Sequence, residues 1–202
     1  ELEKNLTTIA PTVSTYDSYA GQLIREYGLL VPVEPAAQII TAADLYAIAH
    51  EVVTNYTGTL STSNQVPYVT KTLLKLVDEM NNQVMSTEEL TEETRAFVLG
   101  MEELPLDGKK DYTLKTREWP EKQKLRLEYL PLIEELRAEL ARRDVVTFNE
   151  HMSVAARLAA DHPVVGAGQR SRFKVIMLDE YQDTSHAQRI LLSSLFGEVA
   201  EG

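Results

Sequence analysis

Apolar residues recur along most of this chain at every third or fourth position. In "DSYAGQLIREYG", Ala20, Leu23, Ile24 and Tyr27 share one face and Gly28 ends the run, the pattern of an amphipathic helix. Leu29 to Gln38, "LLVPVEPAAQ", is a proline-punctuated loop. "TAADLYAIAHEVVTNYTG" predicts a second helix, opened by Thr41 with Asp44 three residues on, the spacing of a cap that closes on itself. A turn-rich linker from Gly58 to Gln65 follows, then two more amphipathic helices, "PYVTKTLLKLVDEMNNQVM" and "STEELTEETRAFVLGMEEL". After the break "PLDGKKDYT", a long charged helix is expected from Thr116 to Asp144, kinked or divided at Pro131. "TFNEHMSVAARLAADHP" carries a T-x-x-E capping pattern at Thr147 and Glu150, and "SHAQRILLSSLFG" closes the chain between Ser185 and Gly197.

Only two stretches depart from the helical period. Thr12–Tyr16 is a short β-prone run, and Phe173–Asp179, "FKVIMLD", is nearly continuous in apolar residues, as in a strand buried on both faces. Two strands do not make a stable sheet alone. They read as parts of an α/β sheet whose other strands lie elsewhere, with the helices inserted between them. The expected fold class is mainly α, a helical bundle attached to a partial α/β remnant, with the two β-prone ends close together.

Composition narrows the function class. With 202 residues, 44% hydrophobic and 25% charged, a packed core is expected rather than disorder. No apolar run reaches the ~18 residues of a membrane helix, and "ELEKNLTTIA" has no basic start and apolar core of a secretion signal. The chain has no cysteine, which excludes disulfides and thiolate metal sites and fits the cytoplasm. It lacks an initiator Met and is expected to be a piece of a longer protein. The net charge of −11 conceals a gradient: residues 1–107 hold 5 Lys/Arg against 16 Asp/Glu, whereas residues 108–174 hold 14 against 10. Local patches rather than totals steer polyanions.

The chemistry concentrates where the second β-prone run ends in Asp179 and Glu180, with Asp183 three residues on. A carboxylate at the carboxyl end of a strand can hold Mg²⁺, which takes hard oxygen ligands and often only one or two protein carboxylates. A second carboxylate can activate the water that attacks a γ-phosphate. A strand followed by a solvated acidic turn is the alternative.

The longer string "LDEYQDTSHAQ" resembles the D-E-[FY]-Q-D-[TS] motif of the UvrD/Rep (PcrA-like) superfamily 1 DNA helicases, matched at Asp179, Glu180, Tyr181, Gln182, Asp183, Thr184 and the following Gln188. "STYDSYAGQLIRE" resembles the family's T-[FY]-H-[SG] segment through Thr15, Tyr16 and Ser18, with Asp17 where the family has His. Thr147 to Glu150 are a loose version of the D-F-[DG]-D helix that leads into the acidic motif, and the wording around it looks most like the actinobacterial, AdnB-like branch. The resemblance implies a partial RecA-like domain over residues 1–28, a helical insertion of the type called 1B over 29–145, and a partial RecA-like domain with the Walker B motif over 146–202. It implies an ATP-dependent 3′→5′ DNA helicase with Mg²⁺ and ATP as cofactors and single-stranded and duplex DNA as partners. Asp179 would hold Mg²⁺, Glu180 would activate water, Gln182 would couple ATP to DNA, and Thr15 and Tyr16 would lie along the DNA strand. No G-x-x-x-x-G-K-[ST] segment occurs in the 202 residues. The piece is therefore expected to be inactive alone and to need the remaining helicase domains of its parent.

"GKKDYTLKTREWPEKQKLR" interleaves Lys109, Lys110 and Lys115 with further cations and with Tyr112 and Trp119. Such a run can neutralise phosphates and stack bases, or it can be a solvated helix face with Trp119 as a core anchor. The four histidines lack metal-ligand spacing. A non-catalytic helical interaction module, or the helicase-like half of a helicase–nuclease, are the other readings of the whole.

Overall fold

A computed structural model describes residues 11–31, 34, 36–62, 65–103 and 114–197, and no side-chain detail at 102 and 114–117. Among them the chain is mainly helical. The helices are α1 (Tyr16–Tyr27), α2 (Ala42–Asn55), α3 (Val66–Gln83), α4 (Thr87–Glu102), α5 (Leu114–Glu128), α6 (Leu130–Arg142), α7 (Phe148–Asp161), α8 (Pro163–Arg172) and α9 (His186–Phe196). Local chemistry explains most of their ends. Thr41, Ser86 and Ser185 each close a reciprocal capping box with Asp44, Glu89 and Gln188, satisfying backbone donors that a helix start leaves open. Pro131 sits in the first turn of α6, where its missing N–H is harmless, so the long charged segment divides into α5 and α6. Thr147 accepts the Glu150 N–H at 3.1 Å, but the Glu150 carboxylate does not return to the cap. That carboxylate is instead half-buried, and burial raises its pKa against the lowering effect of Arg137. The expected box is half made: the cap hydroxyl takes its N–H, but the acid turns away from the cap.

The β-prone ends do not form strands. Residues 11–15 are irregular, and the apolar run after α8 makes no ladder hydrogen bonds, with Val175 76% and Met177 89% exposed. A strand exists only as a paired object; among the described residues no neighbour is there to pair with. The only sheet among them lies elsewhere. β1 (Gln38–Ile39) and β2 (Val145–Val146) pair in parallel, in register Gln38 to Val145, with the Gln38 N–H on the Asp144 carbonyl at 2.8 Å.

Two cores hold the helices. The interior core gathers Ile48, Ala49, Val69, Leu73, Met80, Leu132, Ile133 and Leu136 from α2, α3 and α6. The terminal core gathers Ala20, Leu23 and Ile24 of α1, Ala155, Ala156, Leu158 and Ala159 of α7, Val165 of α8, and Ala187, Leu191 and Leu195 of α9. Its small residues let helices approach closely. A Cβ on Gly166 would lie 2.9 Å from the Ser194 carbonyl oxygen of α9, closer than packed atoms tolerate. The α3 helix packs against both groups, and the Arg157 guanidinium of α7 donates to the Val84 carbonyl at 3.0 Å. Val84 ends α3 at φ 55°, ψ 38°, a conformation that disfavours a branched side chain; the Arg157 bond ties this turn to α7.

Candidate functional site

The terminal core brings the two ends of the chain together. Tyr19 of α1 donates its hydroxyl to Gln169 Oε1 of α8 at 2.9 Å, and its ring meets Phe173 edge-on at 6.5 Å. Arg172 reaches Glu26 at 4.0 Å and lies over the Phe173 ring. Burial pushes the Tyr19 phenol up to about 12, so it remains a donor at any physiological pH. These contacts place α1 beside the point where the apolar run departs from α8.

That run leads into a tight acidic turn. Glu180 adopts φ 50°, ψ 35°, and residues Tyr181–Asp183 form a single 3₁₀ turn. A non-glycine residue in the left-handed region costs of order 1 kcal/mol or more and marks a position the surroundings over-determine. The Glu180 N–H donates to Asp179 Oδ1 at 3.0 Å, and the Asp183 N–H donates to the Glu180 carbonyl at 2.9 Å. The Gln182 side-chain amide donates to Glu180 Oε2. Thr184 seals the turn through its hydroxyl on the Tyr181 carbonyl at 2.8 Å, and Ser185 starts α9. Gln188, the last residue of the family string, completes that helix cap. Asp179, Glu180 and Asp183 are all exposed.

Thr15 and Tyr16 lie at the start of α1. The Thr15 hydroxyl caps α1 by accepting the Ser18 N–H at 3.2 Å. The Tyr16 hydroxyl oxygen is buried and, among the described residues, is the one buried side-chain polar atom without a hydrogen-bond partner. Its pKa is raised by burial first, then by the neighbouring Tyr181 and Asp179. The turn and the start of α1 are thus electrostatic neighbours.

The donor set can be tested against a divalent cation. Among the described residues no three His, Cys, Asp or Glu side chains converge as a metal cage. The turn offers Asp179, whose Oδ2 accepts no hydrogen bond from the described residues, while Glu180 is engaged by Gln182. One free carboxylate oxygen fits Mg²⁺, which keeps most of its waters and shares its remaining positions with phosphate; it does not fit a closed structural site.

The basic segment resolves only in part. Lys109 and Lys110 lie outside the described residues, and Lys115 is placed in α5 by its backbone alone. Farther along α5, Lys122 pairs with Glu118 at 2.9 Å and Lys124 with Glu121 at 3.0 Å. Trp119 is 49% exposed and is not a core anchor. Tyr68, Lys75, Lys122 and Arg126 line an open groove of about 310 Å³ between α3 and α5. On the opposite flank, Glu139 accepts from Arg142 and Arg143, which hold its carboxyl down at about 2.

One cluster escaped the sequence reading. His151 of α7 is half-buried against Gly21, with Arg25 and Asp17 as its charged neighbours. A Cβ on Gly21 would stand 3.2 Å from the imidazole. The glycine inside a helical pattern was its only sequence signal.

A family model described as the UvrD/REP helicase N-terminal domain matches residues 2–201. No curated protein matches the chain.

Proposed function

The chain belongs to the UvrD/REP helicase N-terminal domain family, and from that premise we propose that its parent is an ATP-dependent DNA helicase moving 3′→5′ on single-stranded DNA. The observation that carries this reading is the strained Asp179–Glu180 turn, with the Gln182 amide on the Glu180 carboxylate. In this reading residues 1–28 and 146–202 belong to a RecA-like domain and residues 29–145 are the 1B-type insertion. The grouping of α1 with α7 to α9 in one core supports it. The branch is the actinobacterial, AdnB-like one, and the parent works in the cytoplasm.

Each residue has a separate task. Asp179 would hold Mg²⁺, which when bound neutralises charge on the ATP phosphates. Glu180 accepts a proton from water as its oxygen bonds to the γ-phosphorus, and the bond from that phosphorus to the bridging oxygen of ADP breaks. Gln182 fixes the Glu180 carboxylate and reports the state of the nucleotide. Thr15 and Tyr16, at the start of α1, lie along the DNA strand, and Lys109, Lys110 and Lys115 contact phosphates. The phosphate cradle and the arginine that stabilises the transition state come from other parts of the parent.

The test is Glu180→Gln in the full-length protein. The amide keeps the shape and the Gln182 contact but cannot take a proton. Mg·ATP binding should persist while hydrolysis and unwinding vanish. Unwinding at the normal rate by that variant would end this reading.

A further inference from the structure

We infer that Arg157 is a positioning residue: a latch that holds the helices of the interior core in one orientation on the terminal core, and so couples the acidic turn to the insertion that meets DNA. The coupling rests on the helicase reading; the latch itself does not.

The seam between the two cores is polar. Asn149, Ser153 and Arg157 recur at every fourth position of α7, which puts them on one face, and α3 packs against α7. The Asn149 amide donates to the Asp78 carboxylate of α3. Asn81 of α3 and Ser153 of α7 are buried. Arg157 donates to the Val84 carbonyl at 3.0 Å. Polar interfaces of this kind let their two sides move unless something fixes them.

Val84 and Arg157 supply the fixing point. Among the described residues between Ala42 and Arg142, Val84 alone packs its side chain on the terminal core. It does so from φ 55°, ψ 38°, a conformation that a β-branched residue adopts only under constraint. Its carbonyl takes the Arg157 guanidinium, so the terminal half holds this residue of the interior half by side chain and backbone together. The cation also meets the C-terminal end of α3, where open carbonyls carry partial negative charge. Glu89 of α4 lies 3.7 Å from the same guanidinium nitrogen, with both side chains reaching solvent. An ion pair so exposed contributes little, and the bond to the carbonyl carries the latch.

The latch stands on the element that supports the site. α7 packs on α9, which begins directly after the acidic turn. A change in how α3 sits on α7 therefore moves the insertion relative to that turn without touching a residue of either site.

The experiment reads energy transfer in the full-length protein between dyes carried at Glu135 of α6 and Gln22 of α1, both exposed. The wild type should give one narrow distribution. Arg157→Ala should raise the population of a displaced arrangement about 10-fold, the effect on an equilibrium of losing one hydrogen bond to a charged group. Arg157→Lys keeps a cation at the end of α3 and should restore most of the wild-type distribution. Glu89→Gln should leave it unchanged. So should Leu136→Ala, which weakens the interior core away from the seam. Arg157→Ala should hydrolyse ATP on single-stranded DNA at the wild-type rate while unwinding falls about 10-fold. A wild-type distribution in Arg157→Ala overturns the inference and leaves the helicase reading intact. An equal shift in Glu89→Gln or Leu136→Ala overturns it too, as does a loss of hydrolysis as large as the loss of unwinding. A parent that unwinds nothing ends the helicase reading, and the energy transfer still decides the latch.

Discussion

The interior and terminal cores are built from the same kind of helix but close in different ways. The interior core is filled by long aliphatic side chains, with Leu132, Ile133 and Leu136 fully buried. The terminal core relies on alanine and glycine, with Ala20, Ala155 and Ala156 fully buried and Gly21 and Gly166 at close approaches. The first tolerates adjustment because long side chains can repack. The second is set by backbone proximity and leaves little to adjust. Its elements also come from opposite ends of the chain, so it closes a large loop. The residues of the candidate site belong to the second. The chain carries them at the edge of a tightly specified core whose neighbouring apolar run is bare, while the interior core carries surface ion pairs and an open groove.

The largest effect expected is in the interior core. Leu136→Ala should cost about 2–5 kcal/mol in urea unfolding, from lost transfer energy plus a cavity. If the cores differ as described, amide exchange should quicken in α2 and α6 well before α1 and α9. Equal acceleration in all four would mean a single cooperative unit.

A smaller effect, of the opposite kind, is expected in the terminal core. Ala156→Leu should cost about 1–3 kcal/mol by overpacking, and its loss should fall on α1 and α9. Ala156→Gly probes the same place without added bulk and should cost about 1 kcal/mol, through helix propensity.

Next is the cap between core and site. Ser185→Ala removes a reciprocal box and should cost about 1 kcal/mol. The matched change in the interior half, Ser86→Ala, should cost a similar amount. Only Ser185→Ala should also weaken Mn²⁺ binding in the parent, because α9 starts directly after the acidic turn.

The smallest difference is in pH dependence. Burial, with Arg25 nearby, lowers the His151 pKa from 6.5, against the raising effect of Asp17. A histidine with a depressed folded pKa binds its proton more readily when unfolded. The terminal core should therefore lose stability as pH falls through 6.5 toward that lower value. Glu150 pulls the other way, since its raised pKa favours the folded state as it protonates above 4.5. Glu139 in the interior half is lowered from 4.5 to about 2 and matters only below 4.5. Its carboxylate still reaches solvent, so its effect is partly screened. Amide exchange at pH just under 6.5 should loosen α1 and α7 while α2 and α6 hold, and His151→Gln should remove the difference.

Helices were readable because their evidence is local. A 3.6-residue apolar period and a capping pair lie within a dozen residues of each other, as at Thr41 and Asp44. The division at Pro131 follows from one ring without an N–H. The helix α8, opened by Pro163, was not read, because "PVVGAGQRSR" has two glycines and a weak stripe. The Thr147 box is only half present because a cap pattern does not reveal where its acid will turn once α7 packs.

The acidic motif was legible as a string, and so were the residue types at Asp179, Glu180 and Gln182. Those types set which atoms can bind a cation or take a proton, a property of the side chains themselves. Tertiary structure alone decided three things. It withheld ladders from the β-prone runs and gave one to Gln38–Ile39 with Val145–Val146, because pairing depends on which backbone comes alongside. It turned Glu180 into the left-handed region and placed Gln182 on it. It set Tyr19 of α1 against Gln169 and Phe173 at the end of α8, because α1 meets the end of α8 only after a core built from both α1 and α7–α9 has closed.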